Sequence, residues 1–197
     1  MTIIDCEQGS PEWIAARCGI PSSSHFNEII TTKGEPSKQR LKYLYRLAGE
    51  QITGIPEESY KSNAMSRGTE KEPEARNVYA FINDVEVEEV GFCLADGYGA
   101  SPDGMVGEDG LLEIKCPMLS THVEYLLINK LPTNYFQQVQ GQLLVTGRDW
   151  CDFFSYFPGM NPLTVRVQRD ETFLKSLKKQ LEIFCQELKE TVKKLEG

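Results

Sequence analysis

The sequence predicts an α/β domain in which a mixed central β-sheet is flanked by helices. Two observations carry this. Apolar residues recur at helical spacing as far as Asn83, then switch to strand-like runs between Val85 and Pro117. Beyond Pro117 the order is helix, two strands and a final helix, an interleaving that suits a sheet covered on its faces. The 197 residues suffice for one hydrophobic core, so a single domain over residues 1–197 is expected.

Taken in order, "SPEWIAARCG" reads as a short helix, with Ser10 as N-cap, Pro11 at the first position, Glu12 in the first turn and Gly19 near the stop. "PSSSHFNEIIT" predicts a second helix with a serine cap and an apolar stripe of Phe26, Ile29 and Ile30. "TTKGEPSKQ" predicts a mobile basic loop. "RLKYLYRLAGEQITG" is an amphipathic helix with Leu41, Leu44, Leu47 and Ala48 on one face, closed by Gly54. "SNAMSRGTEKEPEARNVYAFIN" is a further helix whose Ala75, Val78, Tyr79 and Ile82 fall at helical spacing. "VEVEEVGFCLA" alternates and predicts a strand. "YGASPDGMVGEDGLLEIKCP" reads as strand, turn, strand, with "EDG" as the turn. "PTNYFQQVQGQLLVTG" is helical from near Pro132 to Gly147. "WCDFFSYFPG" and "PLTVRVQR" are strands. The last helix carries Phe173, Leu177, Leu181, Phe184, Leu188, Val192 and Leu195 in steps of three and four, which suits packing on the sheet or at a subunit contact.

Composition narrows the function classes. No apolar run is long enough to span a membrane, and "MTIIDCEQGSPEW" lacks the basic and apolar blocks of a signal peptide, so a cytoplasmic location is expected. The six cysteines form no CxxC pair and there are only two histidines, so reduced core thiols are expected rather than a zinc site. His25 and His122 are expected to be structural. A net charge of −8 argues against a general nucleic-acid coat protein. It leaves room for a local basic channel, or for a bound cation that supplies the positive charge.

Chemistry concentrates in "SPDGMVGEDGLLEIKCP". Strand alternation points Glu113 and Lys115 one way, and Leu112, Ile114 and Cys116 the other. A hairpin turn can bring Asp103 back beside Glu113. Two converging carboxylates call for a cation, and oxygen donors favour Mg²⁺ or Mn²⁺, with the Ile114 carbonyl as a further oxygen. Lys115 can then orient or deprotonate a water, or neutralise charge on phosphate oxygens. The plainer account is an aspartate in a turn and a Glu–Lys pair on a solvated strand face. It explains "PDG" alone, but not the whole D-x9-E-x-K pattern set among apolar residues.

These residues look like the PD-(D/E)xK nuclease motif, and their setting resembles the phage lambda-type alkaline exonucleases, the YqaJ-like viral recombinase family. The resemblance covers most of the chain through four ordered blocks: "RCGIPSSS", "RGTEKEPEAR", "SPDG…LLEIKCP" and "QQVQGQLLVTG". It implies a restriction-endonuclease-like core and a Mg²⁺-dependent exonuclease, with Mn²⁺ as a possible substitute. Such an enzyme digests one strand of linear double-stranded DNA from the 5′ end and leaves 3′ single-stranded overhangs for phage-type recombination. It implies Asp103, Glu113 and Ile114 as metal ligands, Glu72 at a second ion, and Lys115 and Gln138 as catalytic partners. It also implies that Arg17, Ser24 and Ser101 hold the 5′-terminal phosphate, and that the chain forms a ring-shaped homotrimer working with a single-strand-annealing protein.

The residues themselves leave alternatives open. Glu72 and Arg76 lie one helical turn apart and can be a plain ion pair, with Glu70 and Glu74 as rivals for the helix-borne carboxylate. Part of that charge can answer the dipole of the helix start. Gln138 and Gln142 share a helical face, and Gln140 is the other candidate beside Gln138. Arg17 and the serines before the second helix make an anion pocket or an ordinary serine cap. Lys33, Lys38 and Arg40 can track a DNA backbone or be scattered surface charges. At the level of function, a same-fold endonuclease and a non-catalytic DNA-binding or scaffold protein with a relic site stand as alternatives.

Overall fold

A computed structural model of the chain describes residues 1–57 and 63–197; Ser62, with which one of the expected helices opens, and the side chains of 63–69 lie outside the described residues. The elements run β1 (Thr2–Ile4), α1 (Pro11–Arg17), a 3-10 turn (Ser23–His25), α2 (Phe26–Ile29), α3 (Arg40–Thr53), α4 (Asn63–Asn83), β2 (Val87–Glu88), β3 (Phe92–Ala95), β4 (Tyr98–Ala100), β5 (Gly104–Val106) and β6 (Gly110–Lys115). There follow α5 (Leu119–Ile128), a 3-10 turn (Thr133–Tyr135), α6 (Phe136–Thr146), β7 (Trp150–Ser155), β8 (Leu163–Gln168) and α7 (Glu171–Glu196).

The strands form two sheets, β1-β3-β4 and β2-β5-β6-β7-β8. The larger sheet is mixed: β6 and β7 are parallel, and the other neighbours are antiparallel. A parallel pair needs a long crossover, and here it carries α5 and α6. The three-residue connection between β5 and β6 turns on Gly107, whose φ of 55° is the left-handed conformation that favours glycine.

Each face of β6 is covered. Leu111 packs with Val139 and Leu143 of α6 in the main core, which continues into α2, α3 and α7. On the other face Leu112 and Ile114 pack with Ala75 and Tyr79 of α4 and with Phe154. Glu113 therefore points into the interior beneath α6 rather than to a solvated face, and it is 1% exposed. The α4 side is tied down by Asp152, which accepts from the Tyr79 hydroxyl at 2.7 Å and from Arg166 at 2.9 and 2.8 Å.

Helices α1, α3, α6 and α7 form as expected. Ser10 accepts from the Trp13 amide with Pro11 behind it, and Gly54 and Gly147 close α3 and α6 with positive φ. Helix α7 packs on α3 and α6, stacking Phe184 on Tyr43 and Phe173 against Phe136.

Several expectations are corrected. Leu41, Ile82 and Leu195 are exposed; the buried face of α3 is centred on Tyr43, Leu44, Leu47 and Ala48. "PSSSHFNEIIT" makes a 3-10 turn and one short helix, and Ser22 caps neither with its side chain. "VEVEEVGFCLA" is split between the two sheets, where the Val90 carbonyl bonds the Gln8 side chain instead of a neighbouring strand. The 31–37 loop, expected to be mobile, is closed by hydrogen bonds from Thr31 to Glu35, Gly34 to Thr31 and Ser37 to Ile29. Helix α4 begins at Asn63, so Glu70, Glu72 and Glu74 lie beyond its first turn and do not answer its dipole. β1 and α5 were not anticipated. The first is only three residues long, and the second has no side-chain cap and exposes Leu119, Val123 and Leu127. Among the described residues, no helix is long and apolar enough to cross a membrane.

Candidate active site

The β5–β6 register pairs Gly104 with Leu112, which sets Asp103 opposite Glu113. Asp103 is pinned there twice. Its amide donates to the Leu112 carbonyl at 3.0 Å, and its Oδ2 accepts from the Ile114 amide at 2.5 Å. The N–H and C=O of one strand residue point to the same side, so the Ile114 carbonyl is directed toward Asp103 as well.

Glu113 is gripped from α6 and from its own strand. Gln138 donates Nε2 to Oε1 at 2.6 Å, Gln142 donates Nε2 to Oε2 at 2.5 Å, and Lys115 Nζ lies 2.5 Å from Oε1. The Lys115 ammonium also sits 5.3 Å from the centre of the Tyr135 ring. Across the sheet edge, Arg76 of α4 donates to Glu72 at 2.9 Å, to the Asp103 carbonyl at 3.1 Å and to Glu89 at 2.9 Å. This settles the position of the α4 carboxylates. Glu72 faces the cluster, Glu74 bonds Lys71 and the Tyr156 hydroxyl, and Glu70 is exposed. Gln140 turns away to bond the Gln168 carbonyl and the Asp170 amide, so it braces α6 against the start of α7.

The electrostatics are those of crowded carboxylates. Burial, then the Glu113 charge, push the Asp103 carboxyl well above the usual range, with Lys115 and the Ile114 amide opposing. Burial also raises Glu72, against Arg76 and Lys115. Burial alone would lower Lys115, but Glu113 and Asp103 outweigh it and raise the group. The Lys115 ammonium is thus held in its charged form beside Glu113.

Whether these residues suit a divalent ion can be judged from the donors. Asp103, Glu113 and the Ile114 carbonyl are hard oxygen donors grouped on the β5–β6 hairpin, and the Glu113 charge adds to burial in raising the Asp103 carboxyl, so a cation beside them would be stabilised. Among the described residues, no three His, Cys, Asp or Glu side chains form a ready cage. The set thus suits an ion that keeps water or phosphate oxygens in its shell, as Mg²⁺ does.

A second cluster includes Ser101, two residues upstream of Asp103. Arg17 Nη2 donates to Ser22 and Ser24 Oγ, each at 3.2 Å, and its guanidinium lies 3.9 Å from the centre of the Trp13 ring. Trp13 in turn donates its indole N–H to Ser101 Oγ at 2.9 Å. Arg17, Ser24 and Ser101 are thereby brought together, with Trp13 and Ser22 as members that the sequence reading had not named. Burial pulls Arg17 down to about 10, which leaves it cationic at neutral pH. The helix start expected to assist here is a three-residue 3-10 turn, so the guanidinium and hydroxyls make the pocket.

The two clusters share scaffolding. Ser101 and Asp103 are separated by about 7 Å of chain at most, and Gln8 braces the Pro102 carbonyl between them. Gly141 of α6 lets the helix that carries Gln138 and Gln142 approach Phe26 and Ser23: a Cβ there would stand 2.4 Å from Phe26 Cδ2.

The basic set is not brought together. Lys33 and Lys38 are exposed, whereas Arg40 heads α3, pairs with Glu187 at 2.5 Å and lies over Phe184. His122 is buried between Ser155 Oγ and the Asn161 carbonyl, and His25 pairs with Glu28. Among the described residues, the six cysteines are thiols and form no disulfide.

The YqaJ-like viral recombinase domain matches residues 12–149, a span containing both clusters. The chain is similar to the alkaline exonuclease LHK-Exo of Laribacter hongkongensis at 36% identity and a TM-score of 0.86, covering 95% of this chain and 96% of that one. LHK-Exo in complex with dAMP matches at 36% identity and 0.85, covering 94% and 96%. A phage-related exonuclease from Haemophilus somnus 129PT shares the fold at a TM-score of 0.70 and 13% identity, covering 89% of this chain and 96% of that one. An uncharacterised protein of Acanthamoeba polyphaga mimivirus is 30% identical over 164 residues, 75% of this chain; the chain spans 28% of that protein's length.

Proposed function

The chain belongs to the YqaJ-like viral recombinase domain family, and on that premise we propose that it is a Mg²⁺-dependent deoxyribonuclease that digests one strand of linear double-stranded DNA from the 5′ end, leaving 3′ overhangs for recombination. The observation that carries this is the meeting of Asp103, Glu113 and Lys115 on one hairpin, next to a pocket of Arg17, Ser24 and Ser101 that suits a terminal phosphate. A relic site has no reason to hold Glu113 between two amides and an ammonium.

Asp103, Glu113 and the Ile114 carbonyl would hold the first ion and Glu72 would share a second, with Mn²⁺ able to replace Mg²⁺. When bound, such ions supply Lewis-acid stabilisation of the phosphoryl oxygens and of the attacking oxygen. The protein groups do the rest. Arg17 and the serines fix the terminal phosphate by charge-assisted donation, which sets polarity. Ser101 and Asp103 lie on one short segment, so holding the phosphate there registers the scissile bond over the carboxylates. Lys115, charged and held by Glu113, donates to oxygen charge that develops on the phosphate or on the attacking water. Gln138 orients Glu113 without changing its charge.

Incubation of 5′-phosphorylated linear duplex and of covalently closed circles, with Mg²⁺ or with EDTA, tests the reading. Metal-dependent release of nucleotides from the linear substrate alone is expected. No release from linear DNA would defeat the nuclease reading, and cutting of the closed circle would replace it with an endonuclease.

A further inference from the structure

Gln142 lies on the face of α6 that meets β6, and its side chain is 0% exposed. A buried glutamine must satisfy both ends of its amide, and here each end has one partner. Nε2 donates to Glu113 Oε2 at 2.5 Å, while Oε1 accepts from the Cys151 thiol at 3.8 Å. A carboxylate can only accept, so the nitrogen must face Glu113. Cys151 pairs in register with Leu111 on the parallel strand, which places its side chain on the same face of the sheet as Glu113. The thiol is fully buried, and burial together with the neighbouring carboxylates keeps it protonated and able to donate.

The two oxygens of Glu113 are thus treated differently. Oε1 is met by Gln138 and Lys115, both partly open to solvent and both on side chains that can swing aside. Oε2 is met by Gln142, which is enclosed on all sides. A cation arriving from the open side could displace donors from Oε1 but not from Oε2.

We propose that Gln142 is a positioning residue for the metal site. Oriented by the Cys151 thiol, it clamps the inner oxygen of Glu113, so that the outer oxygen is presented to a divalent cation beside Asp103. This rests on the metal-dependent reading above. It goes beyond that reading in assigning a two-residue relay, Cys151 to Gln142 to Glu113, from the interior of the sheet to the ligand. Outer residues that orient a metal ligand typically contribute about 10- to 100-fold in affinity. A glutamine that merely filled the core would contribute nothing to the metal.

Direct Mn²⁺ binding to the DNA-free protein, measured by calorimetry alongside thermal melting in EDTA, separates the two. Gln142→Met keeps the length and apolar contacts of the side chain but loses the donor. It should weaken Mn²⁺ binding about tenfold or more; the inner Glu113 oxygen left without its donor should also lower the metal-free melting temperature, so binding is compared well below that temperature, where the variant is folded. Wild-type affinity in a folded Gln142→Met protein would overturn the clamp. A second pair covers the case in which that variant does not fold. Cys151→Ala and Cys151→Ser remove similar volume, but only serine retains a donor. The alanine variant should bind Mn²⁺ several-fold more weakly than the serine variant, and equal affinities would overturn the relay. A wild-type protein that binds no Mn²⁺ would instead sink the metal-dependent function itself.

Discussion

Replacing Lys115 by methionine removes the only ammonium that the described residues bring to Glu113 and keeps the length of the side chain. Its Nζ lies 2.5 Å from Oε1 of Glu113, whose side chain is 1% exposed. Breaking a buried ion pair by deleting one partner costs about 3–5 kcal/mol, because the remaining charge is left uncompensated. Two features reduce that here. Glu113 keeps the amide donors of Gln138 and Gln142, and Lys115 is itself 27% exposed, so part of its charge is already screened. A loss of about 2 kcal/mol is therefore expected in EDTA, or roughly 4–8 °C in melting temperature for a domain of this size. A divalent ion restores the missing positive charge, so Mn²⁺ should raise the melting temperature of Lys115→Met more than that of wild type. Cleavage should nonetheless fall by about 10²–10⁴, since the donor to charge developing in the reaction is gone. Melting in EDTA and in Mn²⁺, with release of nucleotides from end-labelled duplex, reads all three quantities. Cleavage within about tenfold of wild type would reduce Lys115 to a counter-charge for Glu113 and remove it from the mechanism.

Arg17→Ala should erase most of the preference for 5′-phosphorylated over 5′-hydroxyl ends while leaving Mn²⁺ affinity unchanged; a wild-type protein that degrades both ends at equal rates would dissolve the pocket. We further expect a ring-shaped homotrimer with Lys33 and Lys38 lining its channel and a single-strand-annealing protein as partner, since a chain of net charge −8 must concentrate its basic groups to hold DNA. Light scattering should give three times the 22.3 kDa chain mass, and a monomer that digests distributively would exclude the ring.

The grouping of Asp103, Glu113 and Lys115 on one hairpin was legible because its signal is local. Alternation along β6 set Glu113 and Lys115 on one face, and a short turn returned Asp103 to them; neither step needed knowledge of the rest of the fold. The choice of Glu72 over Glu70 and Glu74 was not local in the same sense. All three sit on one helix, and only the packing of α4 on β6, through Ala75 and Tyr79 against Leu112 and Ile114, decides which faces the carboxylates. Arg40 was likewise set by distant packing. Its place beside a basic loop suggested DNA, and its ion-pair partner Glu187 lies far along the chain and reaches it because α7 folds back on α3. Gln142 was seen to share a face with Gln138, yet a polar residue on a helix gives no sign that it will be sealed inside. That follows from the parallel pairing of β6 with β7, which brings Cys151 under the same helix and makes the sheet opaque on both sides. Trp13 was hidden for a related reason: on α1 it reads as an apolar anchor, and its indole N–H acquires a partner only when β4 delivers Ser101. For Gln142 and Trp13 alike, the hydrogen-bond partner is far away in sequence and is met only once the strands are assembled. Searches for aiming residues in related folds should therefore begin at buried amides and indoles within hydrogen-bond reach of a motif side chain, because a buried donor without a partner is too costly to persist by chance.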